Sequence, residues 1–187
     1  PLADILVEVE QVLKVLGTDD GMVQFHRLWQ RFVAAAVSFK QFHAELPNFI
    51  DQLALLPRSR DPMTCPRVVV TGDFFTRFSP FFIENVYDLY AQRGIILKPV
   101  DLSDLFLYAS YNAAAEIARG WGMQPGGLAL ARACTKIFHP EGKEYLENWL
   151  TYHAEKRCEE RYRGLFRKTG LLVAGPRDIP SLFEKAS

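Results

Sequence analysis

Cysteine is scarce in this chain: Cys65, Cys134 and Cys158 are the only three in 187 residues, and they lie far apart. An odd set of widely spaced thiols excludes a disulfide framework and points to a reducing, cytoplasmic compartment. The short Cys spacing that structural zinc sites and iron–sulfur clusters use is missing as well. His26, His43, His139 and His153 are equally dispersed. His153 and Cys158 share one predicted helix, but five positions apart they do not share a face. No metal site is therefore expected from these residues. An excess of charge of one sign is also absent, since 22 basic residues balance 22 acidic ones. That balance gives no global electrostatic reason to hold nucleic acid or an anionic membrane, and neither is an expected partner. No apolar run reaches the roughly 18 residues of a membrane-spanning helix. No basic start followed by a short apolar stretch marks a secretory leader. Gly-x-Gly-x-x-Gly, a Walker loop and a Gly-x-Ser-x-Gly elbow are all missing, so the common signatures of dinucleotide, nucleotide and acyl-transfer sites are not there.

What is present is the composition of a folded domain, 49% hydrophobic and 24% charged. The first third reads as helix. Ile5, Val9, Val12, Leu13 and Leu16 recur at helical spacing and Gly17 follows as a stop. A second run, with Phe25, Leu28, Phe32, Ala36, Phe39, Phe42 and Leu46 in steps of three and four, predicts one long amphipathic helix from Asp20 to Leu46. Pro47 is expected to end it or to start a new turn. Its aromatic stripe is compatible with core packing or with docking a partner. Pro57 to Pro66 then holds three prolines without periodicity. We place the main boundary there, between a helical segment 1–57 and a domain 66–187.

The second region opens on Arg67-Val68-Val69-Val70-Thr71-Gly72, a β-branched run bounded by Pro and Gly that predicts a buried strand. Ser79 and Pro80 have the character of an N-cap and first helical position, with Phe78 and Ile83 at hydrophobic-staple spacing. The helix carries Phe82, Val86, Leu89 and Tyr90 on one face and stops at Gly94. Ile95 to Val100 predicts a second strand. Strand, loop, helix and strand make a βαβ unit, so the fold class is α/β, a Rossmann-like unit with a short parallel sheet flanked by many helices. Beyond it we expect a helical stretch from Asp101 or Ser103 to Ala118. A glycine-rich loop around Trp121, a short helix from Leu128 to Phe138 and a long charged helix from Pro140 to Lys168 follow. Leu171 to Gly175 reads as a third strand and Asp178 as the cap of a last helix. The chain opens on Pro1 and finishes in a helix-like stretch, Leu182 to Ser187, which predicts a piece of a longer protein.

The loop after the first strand is the best candidate site. In open α/β sheets, ligands sit beyond the carboxyl ends of the strands. This loop leads into a helix N-terminus, where free N–H groups favour an anion. Asp73, Thr76, Arg77 and Ser79 bring an acid, two hydroxyls and a guanidinium suited to two-pronged contact with a phosphate or carboxylate. The alternative is structural: Ser79 merely caps the helix, and Arg77 pairs with Asp73 or with a carboxylate of a neighbouring domain. Other features carry less. Glu155 to Arg163 holds opposite charges four apart, which suits a solvated helix face. The Trp121 loop fits an ordinary interhelical connection or a mobile lid.

Val69 to Phe82, followed by Gly94 to Leu102, resembles the 2-hydroxyacyl-CoA dehydratase D-component family. More narrowly it is similar to the dehydratase-like region of large CoA-substrate-specific enzyme activases, the proteins related to the 2-hydroxyglutaryl-CoA dehydratase activator. The likeness is sharpest from Arg67 to Tyr108, looser towards the end, and weak before Pro57. It implies a Rossmann-like architecture, iron–sulfur clusters in the parent protein, and an ATP-hydrolysing activase that delivers low-potential electrons for chemistry on acyl-CoA or another small substrate. None of the three cysteines matches a cluster-ligand position, and the activase's ATP motifs are missing, so the piece itself is expected to hold no cofactor and to be inactive alone. Its implied partners are the remaining domains of the parent and an activase. Asp73 stands where family members often carry Glu. Two other readings stay open: a non-catalytic interaction or regulatory domain, and a small-ligand binder using residues 73–79.

Overall fold

The computed structural model describes residues 1–72, 79, 83 and 85–172. Backbone packing divides the chain into two compact units. One, the α/β unit, comprises Leu2–Val100 and the chain from Arg161 onward; the other, the helical unit, comprises Asp101–Glu160 with Pro1.

The α/β unit begins with helix α1, Leu2–Leu16. Its apolar positions repeat every three or four residues, and Ile5, Val9, Val12, Leu13 and Leu16 are all fully buried. Helix α2, Asp19–Ala35, starts behind Thr18, whose side-chain oxygen accepts the Gly21 N–H. Helix α3, Phe39–Ala54, starts behind Ser38, whose side chain accepts the Gln41 N–H. The single helix expected from Asp20 to Leu46 is thus two helices. The three-step spacing from Ala36 to Phe39 runs across a break that Ser38 caps, so the periodicity alone hid it. Pro47 lies inside α3 instead of ending it. A proline in a helix interior costs a backbone hydrogen bond, and here Phe49, Ile50 and Leu53 anchor the downstream turns in the core. The two helices meet through Phe32, which stacks on Phe49 at 4.6 Å between ring centroids and packs at 5.5 Å from Phe42.

From Pro57 to Pro66 the chain is irregular but tied down. Ser59 donates its N–H to the Leu16 carbonyl at 2.8 Å, and Asp61 caps a single 3-10 turn, Pro62–Thr64. Strand β1, Arg67–Val70, follows. Helix α4, Val86–Gln92, then leads into strand β2, Ile96–Pro99. The strands pair in parallel, with Val68 opposite Leu97 and Val69 opposite Lys98. The α/β class and the short parallel sheet are therefore present. Burial falls differently from expectation. β2 is buried throughout, whereas Arg67, Val68 and Val69 of β1 are exposed. A run of valines specifies an extended backbone, but it does not by itself specify what covers that backbone. Likewise Val86, Leu89 and Tyr90, expected to form the inward face of the crossover helix, are each more than a third exposed. The helix ends as expected at Gly94, whose φ of +72° favours glycine. A Cβ there would also lie 2.6 Å from an Arg60 guanidinium nitrogen.

The helical unit contains α5, Leu102–Gly120, and α6, Gly127–Thr135. It also holds most of α7, Pro140–Phe166, whose last residues from Arg161 belong to the α/β unit. Its centre is Ala114, Ala118, Ala129, Ala133 and Tyr145. A 3-10 turn, Arg167–Thr169, follows α7. Phe166 and Leu171 then complete the core of the α/β unit. Leu171 and Leu172, expected to begin a third strand, are in no strand. The rest of that strand and the helix expected at Asp178 lie outside the described residues.

Candidate functional site at the carboxyl end of the parallel strands

β1 ends at Val70, and the chain leaves the sheet through Thr71 and Gly72. The parallel register puts Pro99 and Val100 at the same end, where the Val100 N–H donates to the Val70 carbonyl at 3.0 Å. This is the side of an α/β sheet on which ligands bind. Of the candidate site residues, Asp73, Thr76 and Arg77 lie outside the described residues. Phe78 and Pro80 do so too. Ser79 is half-buried, and its carbonyl accepts the Ile83 N–H at 3.1 Å, one helical hydrogen bond at the position where a helix start was expected.

The described residues place a buried ion cluster near this end of the sheet. Lys98, the register partner of Val69, points its Nζ at Glu8 Oε2 of α1, 3.1 Å away. Arg163 of α7 donates from Nη1 to the same oxygen at 3.0 Å. All three side chains are at most 5% exposed. One carboxylate oxygen so joins two cations carried by segments far apart in sequence. Removing three charges from water is expensive, and only close ion contacts of this kind offset the loss. The arrangement fixes α1, β2 and the end of α7 in one register beneath the carboxyl end of the strands.

Sequence reasoning missed this cluster, although two signals were there. Glu8 sits on the apolar face of α1, three residues after Ile5 and four before Val12. Lys98 interrupts an otherwise apolar strand. A charge at a core-facing position needs a partner. Arg163 gave no such signal. It was expected on a solvated face four residues from Glu159, and it is buried against Glu8.

In the helical unit, the Trp121 loop is pinned. The Trp121 indole N–H donates to Glu141 Oε2 at 3.2 Å. The Arg132 guanidinium and the Lys136 ammonium lie 5.7 and 5.4 Å from the Trp121 ring centroid. The Tyr145 hydroxyl accepts the Gly126 N–H at 3.0 Å. The indole hydrogen bond, and then the Lys136 charge, hold the Glu141 carboxyl below its ordinary pKa. These contacts describe a packed connection between helices.

Cys65 is buried, while Cys134 and Cys158 are exposed. Among the described residues no group of three His, Cys, Asp or Glu side chains is placed to hold a metal ion. Among the described residues, too, no helix is long and apolar enough to cross a membrane. Comparison of the chain with protein-family models, with curated proteins and with solved structures finds no match.

Proposed function

We propose that this chain is a Rossmann-like module from the dehydratase-like region of a cytoplasmic activase-type redox protein, and that it contributes a binding cleft, not a redox centre. The observation that supports this reading is the parallel β1–α4–β2 unit, whose first strand ends at Val70, a few residues before the candidate site residues. The sequence resemblance of Val69 to Phe82 and Gly94 to Leu102 adds the family. In this reading Arg77 meets an anionic group of an acyl-CoA or another small substrate, assisted by the hydroxyls of Thr76 and Ser79. Asp73 supplies the acid of the same candidate site. In this reading the cluster ligands and the ATP-hydrolysing activase reside elsewhere in the parent protein, since none of Cys65, Cys134 and Cys158 matches a cluster-ligand position of the family. Electron transfer then needs those other parts, and the module alone is inactive.

The test is anaerobic reconstitution of the parent protein with iron and sulfide, followed by ATP and an activase. The expected result is a cluster chromophore that is reduced only when ATP is hydrolysed. A parent that binds no cluster and accepts no electrons overturns the redox reading. It would leave the regulatory-domain reading in its place.

A further inference from the structure

The ring contacts of the two units differ in kind. In the α/β unit they centre on phenylalanines, Phe32 with Phe42 and Phe49, and Phe49 with Phe166. In the helical unit they form a line of tyrosines and tryptophans. Tyr111 of α5 lies 5.3 Å from Tyr152 of α7 between ring centroids. Tyr152 lies 6.0 Å from Trp149, Trp149 lies 6.0 Å from Tyr145, and Tyr145 lies 5.5 Å from Trp121. The line starts at half-buried Trp121, passes through fully buried Tyr145 and ends at exposed Tyr111.

Indole and phenol rings yield one electron to strong oxidants, whereas a phenylalanine ring does not. Electron exchange falls off steeply with distance, so rings in near contact pass an electron vacancy from one to the next. Charge sets the direction. Arg132 and Lys136 lie 5.7 and 5.4 Å from the Trp121 ring centroid, and the Glu141 carboxylate on the indole N–H offsets one of them. The remaining positive charge disfavours an indole radical cation at Trp121. A tyrosine sheds its phenolic proton as it is oxidised, so its radical is neutral, and at exposed Tyr111 water takes that proton. Tyr145, fully buried away from water, bridges without holding the vacancy.

We propose that Trp121, Tyr145, Trp149, Tyr152 and Tyr111 form a one-electron path that carries oxidising equivalents through the helical unit to its surface. An oxygen-centred radical takes one electron at Trp121 and is reduced. Electrons then move ring by ring towards Trp121, from Trp149 across Tyr145, from Tyr152, and last from Tyr111. The net change is one electron and one proton lost from Tyr111, the electron to the oxidant and the proton to water. A thiol in solution restores the phenol by giving up a hydrogen atom and becomes a thiyl radical. This inference does not depend on the proposed function.

The test uses the full chain with Cys158→Ser, so that a thiol-reactive ruthenium photo-oxidant attaches at exposed Cys134 of α6, the helix that carries Arg132; Cys65 is buried. After flash and quench, transient absorption should show an indole radical that gives way to a tyrosyl radical. Trp149→Phe keeps a ring in place but not an oxidisable one, and the tyrosyl signal should be lost. Tyr111→Phe combined with Tyr152→Phe removes only two hydroxyls; the indole radical should then persist with no tyrosyl radical after it. Circular dichroism checks that the variants keep their helices. An indole radical that never passes to a tyrosine when all five rings are present overturns the proposal. So does a tyrosyl signal that survives either variant.

Discussion

The two units hold themselves together by different means. The α/β unit has a core of branched aliphatic and phenylalanine side chains, gathered from α1, α2, α3, β2 and the segment after Arg161. Its contacts span nearly the whole chain, and the buried ion cluster of Glu8 with Lys98 and Arg163 does the same. The helical unit has four alanines and a tyrosine at its centre, all within a short stretch of chain. Small side chains let helices approach closely, and Tyr145, packed between Trp121 at 5.5 Å and Trp149 at 6.0 Å, fills the remaining space. A core closed by distant segments fails when any one of them is lost. A core of local contacts forms quickly but rests on few large side chains.

The strongest way to break this contrast is at Glu8. Glu8→Ala leaves Lys98 and Arg163 buried without their shared carboxylate, and should lower stability by about 3–5 kcal/mol. Urea denaturation followed by far-ultraviolet circular dichroism measures it. A loss below about 1 kcal/mol would place the cluster in the class of exposed pairs. Phe166→Ala should cost a comparable 3–5 kcal/mol, because it opens a cavity where the end of α7 closes the core. If hydrogen exchange then changed in residues 101–160 and not around α1 and α3, the assignment of Phe166 to the α/β core would be wrong. In the helical unit the sensitive change is the opposite one. Ala118→Leu overfills a fully buried site and should cost about 1–3 kcal/mol. No measurable effect would mean that the alanine packing is loose.

Two smaller effects sharpen the comparison. Ser38→Ala removes the cap that separates α2 from α3 and should cost about 1 kcal/mol. An unchanged urea midpoint would show that the break between the helices does not depend on that cap. At Glu141 the effect is one of pH. Its folded carboxyl titrates below its unfolded value, so the stabilisation is present above the unfolded pKa and fades as pH falls through the folded one. An NMR titration of the Glu141 carboxyl should give a midpoint below that of an unstructured glutamate, and Trp121→Phe should raise it. A midpoint that Trp121→Phe leaves in place would remove the indole hydrogen bond as the main cause.

Much of the fold could be read from residue spacing. The α1 face was legible because Ile5, Val9, Val12, Leu13 and Leu16 repeat at the helical period and are all buried. The parallel strand pair was legible from its β-branched runs and the glycine stop at Gly94. Periodicity failed where two helices happened to continue in phase across Ala36 to Ser38, and where tertiary anchoring overrode Pro47. It also misjudged the burial of β1, whose valine run specifies a strand but not the neighbours that would cover it. Of the candidate site, Asp73, Thr76 and Arg77 lie outside the described residues. Topology marked the carboxyl end of the sheet, but the ion cluster beneath it depends on Arg163, more than sixty residues beyond Lys98, and no local pattern predicts that meeting.

The central functional claim is that the loop leaving β1 binds an anionic substrate through Arg77. Isothermal titration of this chain with an acyl-CoA, comparing wild type with Arg77→Ala, tests it most directly. The account predicts saturable binding that weakens about tenfold or more when the guanidinium is removed, as loss of a charged hydrogen bond implies. Absence of binding, or equal affinity for both proteins, would contradict it.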